Sequence, residues 1–139
     1  MVRVEHEDLE YDPTNGLMYV DGIPFTGMAY AIHPNGSAEY EAEYRDGLKC
    51  GVSREWYRGG QLAFEGTLRN GGLHGVERHW HVNGVLSSES FGEYGILVKR
   101  QRWNEQGKLL EEYELLEDSP DWRMIRELRK KYGDATDHK

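Results

Sequence analysis

The sequence has little cysteine and no long apolar run. Cys50 is the only cysteine, which excludes an intrachain disulfide and favours a small buried thiol in a reducing compartment. The N-terminal stretch has no apolar segment of signal-peptide length, and nowhere are 18 consecutive residues apolar. We therefore expect a cytoplasmic protein.

Positive charge is also scarce, because 17 Lys and Arg face 25 Asp and Glu and give a formal net charge of −8. An acidic chain is poorly suited to bind phosphate backbones or anionic lipid, so we expect no nucleic-acid partner and no membrane surface. A basic protein is the natural complement, and a homo-oligomer is left open.

Proline is limited to 4 residues whereas glycine reaches 17, and the glycines recur with a period of about 24 residues. Each unit opens with Gly27, Gly51, Gly75 or Val98, and a second glycine follows nine residues later at Gly36, Gly60, Gly84 and Gly107. A large apolar residue stands five positions into each unit at Ile32, Trp56, Trp80 and Trp103. The sequence thus contains four repeats, at about 27–50, 51–74, 75–97 and 98–117.

Two turn signals per repeat flank runs of about six residues, which is the pattern of a β-hairpin. We predict a mainly β protein in which residues 1–117 form an array of four hairpins, with a capping strand at about 17–26. Residues 118–139 should form a C-terminal capping helix and tail. Ser119 suits an N-cap and Pro120 the first helical position, so the helix should span about 120 to 132 and cover the open end of the array, and the tail from about 134 should fray.

Alternation along the runs assigns side chains to two sheet faces. The predicted packing face carries Met28, Tyr30, Ile32, Tyr40, Tyr44, Val52, Trp56, Leu62, Phe64, Leu68, Val76, Trp80, Leu86, Trp103, Leu109 and Tyr113. The predicted acidic face carries Glu39, Glu41, Glu43, Glu55, Glu65, Glu77, Glu89, Glu112 and Glu114 with Tyr57, His79, His81 and Phe91.

The candidate partner-binding residues come from that acidic face. They are Glu39, Glu41, Glu43, Glu55, Tyr57, Glu65, Glu77, His79, His81, Glu89 and Phe91. Aromatic anchors among charges are typical of protein interfaces, whereas the alternative interpretation is a charged surface that only keeps the sheet solvated. Both interpretations stay open.

Other kinds of site have less support. His79 and His81 beside Glu77 have acceptable zinc-ligand chemistry, but no accompanying metal motif is present, so we predict no metal and no cofactor. Arg54 and Arg78 fall among apolar positions, where they would stack on tryptophans or, if that face were an open groove, contact a ligand. No catalytic motif is recognisable, and we expect a non-enzymatic protein.

The string DGLKCGVSREWYRGGQLAFE, residues 46–65, resembles the bacterial variant of the MORN repeat. It recurs as NGGLHGVERHWHVNGVLSSE at 70–89 and, with Ile32 in place of Trp, as DGIPFTGMAYAIHPNGSAEYE at 21–41. The resemblance implies a single elongated antiparallel meander that acts by contact with other molecules.

Two functions follow as hypotheses. Bacterial proteins with this repeat variant include antitoxins and toxin immunity proteins, which implies a module that occludes the active surface of a basic toxin or effector. The alternative is a general scaffold or adaptor of MORN type, which includes a membrane-associated version.

Overall fold

The computed structural model describes residues 1–133, most of which lie in β-strands. Within these residues, nine strands form a large sheet in the order β1-β5-β6-β7-β8-β9-β10-β11-β12, and three form a small sheet in the order β2-β3-β4. The elements are β1 (Arg3–Glu5), a 3-10 helix (His6–Asp8), β2 (Glu10–Asp12), β3 (Leu17–Val20), β4 (Ile23–Pro24), β5 (Gly27–Ile32), β6 (Ala38–Arg45), β7 (Leu48–Trp56), β8 (Leu62–Arg69), β9 (Gly72–Trp80), β10 (Leu86–Glu93), β11 (Ile96–Trp103), β12 (Leu109–Glu114) and α1 (Pro120–Tyr132). The predicted mainly β meander with a C-terminal helix is confirmed.

The predicted repeats are four antiparallel hairpins, β5–β6, β7–β8, β9–β10 and β11–β12. Two-residue turns join one hairpin to the next, and in the turn at Asn70 and Gly71 both φ angles are positive, 51° and 84°. A turn of this kind matches the twist of the flanking strands but needs residues that tolerate positive φ, which explains the Asp-Gly and Asn-Gly pairs of the sequence.

Each hairpin also has a β-bulge beside its inner turn. In the first hairpin Ala31 pairs with Tyr40 but Ile32 pairs with Ala38, so Glu39 is the extra residue. The same shift occurs beside Trp56, Trp80 and Trp103. Because a bulge places two residues opposite one, it changes which side chains share a face on the two sides of the turn.

The N-terminal segment covers one end of the array. Strand β1 pairs in parallel with β5 and occupies the edge of the large sheet. The predicted strand at 17–26 contains β3 and β4, which form a hairpin of the small sheet. This hairpin buries Phe25 against Ala29, Ala42 and Tyr44, in the larger part of the hydrophobic core. Strands β1 and β2 were not predicted from the sequence.

Helix α1 begins where the sequence predicts, because the Ser119 hydroxyl accepts a hydrogen bond from the Trp122 amide. It buries Ile125 against Val98 and Leu115, and the partly buried Phe91, Ile96 and Trp122 pack around this second cluster.

The sequence predicts that the helix covers the open end of the array. In the structure, the helix leaves the outer edge strand uncovered, because every residue of β12 is exposed. The predicted frayed tail from about 134 lies outside the described residues.

Candidate protein-binding surface

A row of charged side chains crosses the large sheet at right angles to its strands. Pairing places Glu41 opposite Arg54, Arg54 opposite Glu65, Glu65 opposite Arg78 and Arg78 opposite Glu89, and the row ends with Gln101 and Glu112. We call these seven residues the charged row, and the sheet face that carries them the ladder face. Paired residues of neighbouring strands point to the same side, so acid and base alternate from Glu41 to Glu89, and the neutral Gln101 separates Glu89 from Glu112.

Short contacts hold the charged row together. Nε of Arg54 lies 2.7 Å from Oε2 of Glu65, and Nε of Arg78 lies 2.7 Å from Oε2 of Glu89. The amide of Gln101 donates to Glu112 over 3.1 Å. The two arginines therefore bind glutamates, and the expectation that they stack on tryptophans is replaced by ion pairs within the face.

A second row runs beside the charged row. Its residues lie in β5, β7, β9 and β11, the first strands of the four hairpins, and in each strand the residue stands two positions after the one that aligns with the charged row. It consists of Ile32, Trp56, Trp80 and Trp103, which alternation along the first strands places on the ladder face, and we call it the tryptophan row. Trp103 also lines a cleft on the opposite face, beside Glu77 and His79. Ile32 is 54% exposed, and Val52 on the other side of the charged row is 36% exposed. Trp56, Trp80 and Trp103 are partly buried, so Ile32 and Val52 are more open to solvent beside the charged row than the tryptophans are. A mixture of apolar and charged groups is found at protein interfaces.

A cleft of about 570 Å³ lies over the C-terminal part of the ladder face. Its lining includes Arg78, Glu89 and Phe91 from the third hairpin and Gln101 and Glu112 from the fourth. The ladder face is therefore partly concave there. A concave face is what the second interpretation of Arg54 and Arg78, as residues that contact a ligand in an open groove, requires.

The predicted division into a packing face and an acidic face is wrong across the inner turns. Tyr30 pairs with Glu41, and Tyr40 pairs with Ala31 and Glu55, so Tyr30 and Tyr40 point to opposite sides. The alternation was correct within each strand, but the inner-turn loop and its bulge reverse the phase between the two strands of a hairpin.

The predicted binding residues consequently fall in three places. Glu39, Glu41, Glu43, Glu65, Glu89 and Phe91 belong to the ladder face. Glu55, Glu77 and His79 belong to the opposite face, which we call the hairpin face because the N-terminal hairpin packs on it. Tyr57 and His81 lie in inner turns.

Tyr57 and His81 connect neighbouring hairpins. The Tyr57 hydroxyl donates to the carbonyl oxygen of Trp80 over 2.6 Å, and Nε2 of His81 lies 2.9 Å from the carbonyl oxygen of Trp103. His33 makes the same contact with Trp56 at 2.8 Å. The sequence signal that could have revealed this role is a polar ring at one repeat position, 33, 57 and 81.

Phe91 packs against the cluster that the C-terminal helix forms with the sheet. It pairs with Val76 and Lys99 and packs against the cluster that contains Ile125. Its ring therefore contributes to the core as well as to the edge of the ladder face.

On the hairpin face, Glu77 and His79 interact with each other. Nε2 of His79 lies 2.9 Å from Oε1 of Glu77. This hydrogen bond lowers the pKa of Glu77, against an opposing effect of burial, and the charges of His79 and Arg100 lower it further. The two side chains form a local hydrogen-bonded pair, and residues 1–133 contain no group of three or more His, Cys, Asp or Glu side chains placed to hold a metal ion.

Cys50 is partly buried, and burial raises the pKa of its thiol, with a smaller contribution from Glu43. A raised pKa lowers the thiolate fraction and hence the reactivity of the sulfur. Over the described residues, no helix has both the length and the apolar character needed to cross a bilayer.

These features define a β-hairpin repeat protein whose ladder face combines a charged row with a tryptophan row. No protein-family model matches the sequence. Immunity protein YwqK of Bacillus subtilis (strain 168) is 49% identical to the chain over 109 residues, which cover 78% of this chain and 71% of that protein. The chain belongs to the family of immunity protein YwqK.

Two solved structures share part of the backbone arrangement. A crystal structure of accessory secretory proteins 1, 2 and 3 of Streptococcus pneumoniae aligns with 79% of this chain and 20% of its own, at 16% identity and a TM-score of 0.37. A crystal structure of a GtfA/B complex bound to UDP and GlcNAc aligns with 88% of this chain and 30% of its own, at 10% identity and a TM-score of 0.33. TM-scores this low carry no argument about function.

Proposed function

We propose that the chain is an immunity protein that neutralises a toxin by binding it directly, and that the ladder face is the contact surface. Membership in the family of immunity protein YwqK supports the immunity role. The arrangement of the charged row beside the partly exposed tryptophan row on one sheet face is the observation that supports direct binding.

The charge of the ladder face favours a basic surface on the toxin. Among the described residues, the solvent-accessible charges of this face include the glutamates Glu5, Glu39, Glu41, Glu43, Glu65, Glu89, Glu112 and Glu114 and the cations Arg3, Arg45, Arg54, Arg69, Arg78 and Lys99. The glutamates outnumber the cations, in keeping with the net charge of −8. An acidic surface accelerates encounter with a basic one and selects against acidic partners.

The tryptophan row supplies the apolar part of the contact. Tryptophan contributes more than most residues to binding free energy when an interface buries it, and charged neighbours that exclude water strengthen that contribution. In this protein the charged row lies directly beside Trp56 and Trp80, so a partner that covers one row also covers the other. The toxin surface best matched to it is basic and carries a shallow apolar depression.

A rescue assay tests this function. The product of the gene adjacent to that of this chain is expressed in a bacterial host, with and without the chain, and growth is measured. We expect growth inhibition by the adjacent product and rescue by the chain. A chain that restores no growth, and does not bind the adjacent product in a pull-down, would overturn the immunity role.

The contact surface is tested in the same assay with two matched triple variants. E41Q/E65Q/E89Q neutralises three glutamates of the ladder face, and E55Q/E77Q/E111Q neutralises three on the hairpin face. We expect E41Q/E65Q/E89Q to lower the affinity for the partner and to make that affinity less dependent on salt concentration. E55Q/E77Q/E111Q should leave the affinity and its salt dependence near those of the wild type. The reverse result would assign the contact to the hairpin face, and thermal unfolding of both variants controls for folding.

A further inference from the structure

The last strand of the large sheet, β12, has a free edge. Among residues 1–133 it pairs with β11 alone, and all of its residues are exposed. An edge strand presents unpaired backbone N–H and C=O groups that can pair with another extended segment.

In every earlier hairpin the equivalent edge is occupied by the first strand of the next hairpin. Strand β6 pairs with β7, β8 with β9, and β10 with β11. The register places a hydrogen-bonding side chain opposite the glutamate of the charged row: Arg54 opposite Glu41, Arg78 opposite Glu65 and Gln101 opposite Glu89. Glu112 is the fourth glutamate of this series, and β12 is the strand that has no following hairpin among the described residues.

We propose that the free edge of β12 binds an extended basic segment of the protein partner by strand addition, with a cationic side chain opposite Glu112. The proposal rests on the proposed function for the identity of the partner. The added strand takes the position and register that the first strand of a fifth hairpin would have.

The charges of β12 favour a basic segment. Lys99 lies 3.3 Å from Glu114, and Arg102 lies 3.7 Å from Glu111, but Glu112 receives the neutral amide of Gln101. The charge of Glu112 is thus not offset by the neighbour in its own row. A cation on an added strand would offset it. Within the array, the short contacts of Arg54 and Arg78 are with Glu65 and Glu89 of their own hairpins, and the register places the same arginines opposite Glu41 and Glu65 of the preceding hairpins.

The same charges disfavour a second copy of the chain. Pairing of β12 with another β12 would bring Glu111, Glu112 and Glu114 close to their own equivalents, and like charges across strands are destabilising. Pairing with β1 of another copy would place Glu5, which belongs to the same row as Tyr30, near Glu112. Leu109 and Leu110 are also exposed and offer apolar contacts to a neighbouring strand.

A peptide titration tests the proposal. The probe is a synthetic peptide that copies residues 72–81, GLHGVERHWH, with the change E77Q, so that its arginine is its charged side chain; β9 is the model because it pairs with β8 in the register described. The full chain is labelled with ¹⁵N, and amide shifts are followed during the titration. We expect saturable shifts concentrated in residues 109–114 and slower amide hydrogen exchange in the same strand.

A charge exchange then tests the register. The variant E112K should bind the peptide roughly three- to tenfold more weakly, and a peptide in which the arginine equivalent to Arg78 is replaced by glutamate should restore binding to E112K. E112Q, with an intermediate loss, serves as the neutral variant. Glu112 lies on an exposed edge strand, and the amide spectrum of each variant confirms its fold.

Three results would overturn the proposal. One is the absence of shifts in residues 109–114 at millimolar peptide, and another is equal affinity of the wild type and E112K for both peptides. The third is a concentration-dependent dimer, measured by sedimentation, whose formation protects β12. If the chain rescues growth but shows no binding in the peptide titration, the edge site is wrong and the immunity function stands. The failure of one proposal is therefore distinguishable from the failure of the other.

Discussion

The guanidinium of Arg129 in α1 contacts both carboxylate oxygens of Glu93 at the end of β10. Nε of Arg129 lies 2.9 Å from Oε1, and Nη2 contacts Oε2. Glu93 is 1% exposed, whereas the Arg129 side chain is 36% exposed. This bidentate contact fixes the helix beside the turn that joins the third and fourth hairpins.

The variant R129A should be strongly destabilised, because it removes the guanidinium from a buried carboxylate. Breaking a buried pair costs about 3–5 kcal/mol, and the partial exposure of Arg129 reduces our expectation to about 2 kcal/mol. Urea unfolding followed by tryptophan fluorescence measures the loss. K130A, which affects an exposed pair with Glu127, is the matched control and should change stability little. Equal stability of R129A and wild type would contradict the structural role of the pair.

The sequence predicted the features of the fold that depend on neighbours along the chain. The period of the glycines located all four hairpins, and Ser119 with Pro120 located the start of α1. Both signals are local, because a turn or a cap depends on the conformation of a few consecutive residues.

The faces of the sheet and the contacts between distant residues were not predictable in the same way. The face of a side chain depends on the residue count through a bulged turn, which alternation alone does not give. Strand β1 is three residues long and pairs in parallel with a strand more than 20 residues away, and Glu93 and Arg129 are 36 residues apart. No local pattern marks such pairs.

Tyr57 is expected to stabilise the array rather than to contact the partner through its hydroxyl. The variant Y57F loses the hydrogen bond to the carbonyl oxygen of Trp80 and should lower the free energy of unfolding by about 1 kcal/mol. Thermal or urea unfolding measures the change, and Y11F, at an exposed tyrosine, is the control. Weaker partner binding with unchanged stability would return Tyr57 to the contact surface.

The pair of Glu77 and His79 should contribute to stability in a way that depends on pH. Because folding lowers the pKa of Glu77 below its ordinary value of 4.5, the contribution is present above that value and is lost as pH falls through the lower pKa of the folded state. Wild type should therefore lose more stability than E77Q on acidification from about pH 6 to about pH 3. Urea midpoints across that range test this, and parallel curves for the two proteins would contradict it.

The ion pairs of the charged row should add little to stability, which leaves their charges available to a partner. The side chains of Arg78 and Glu89 are 42% and 39% exposed, and pairs of this kind are worth about 0.2–1 kcal/mol. A double-mutant cycle with R78A, E89A and the double variant measures the coupling, and a second cycle with Arg54 and Glu65 repeats it at the equivalent position. We expect both couplings in that range and a decrease at about 1 M salt, where the screening length is near 3 Å. A coupling well above about 2 kcal/mol would mean that the row is a structural network, whose rearrangement to meet a partner would then be costly.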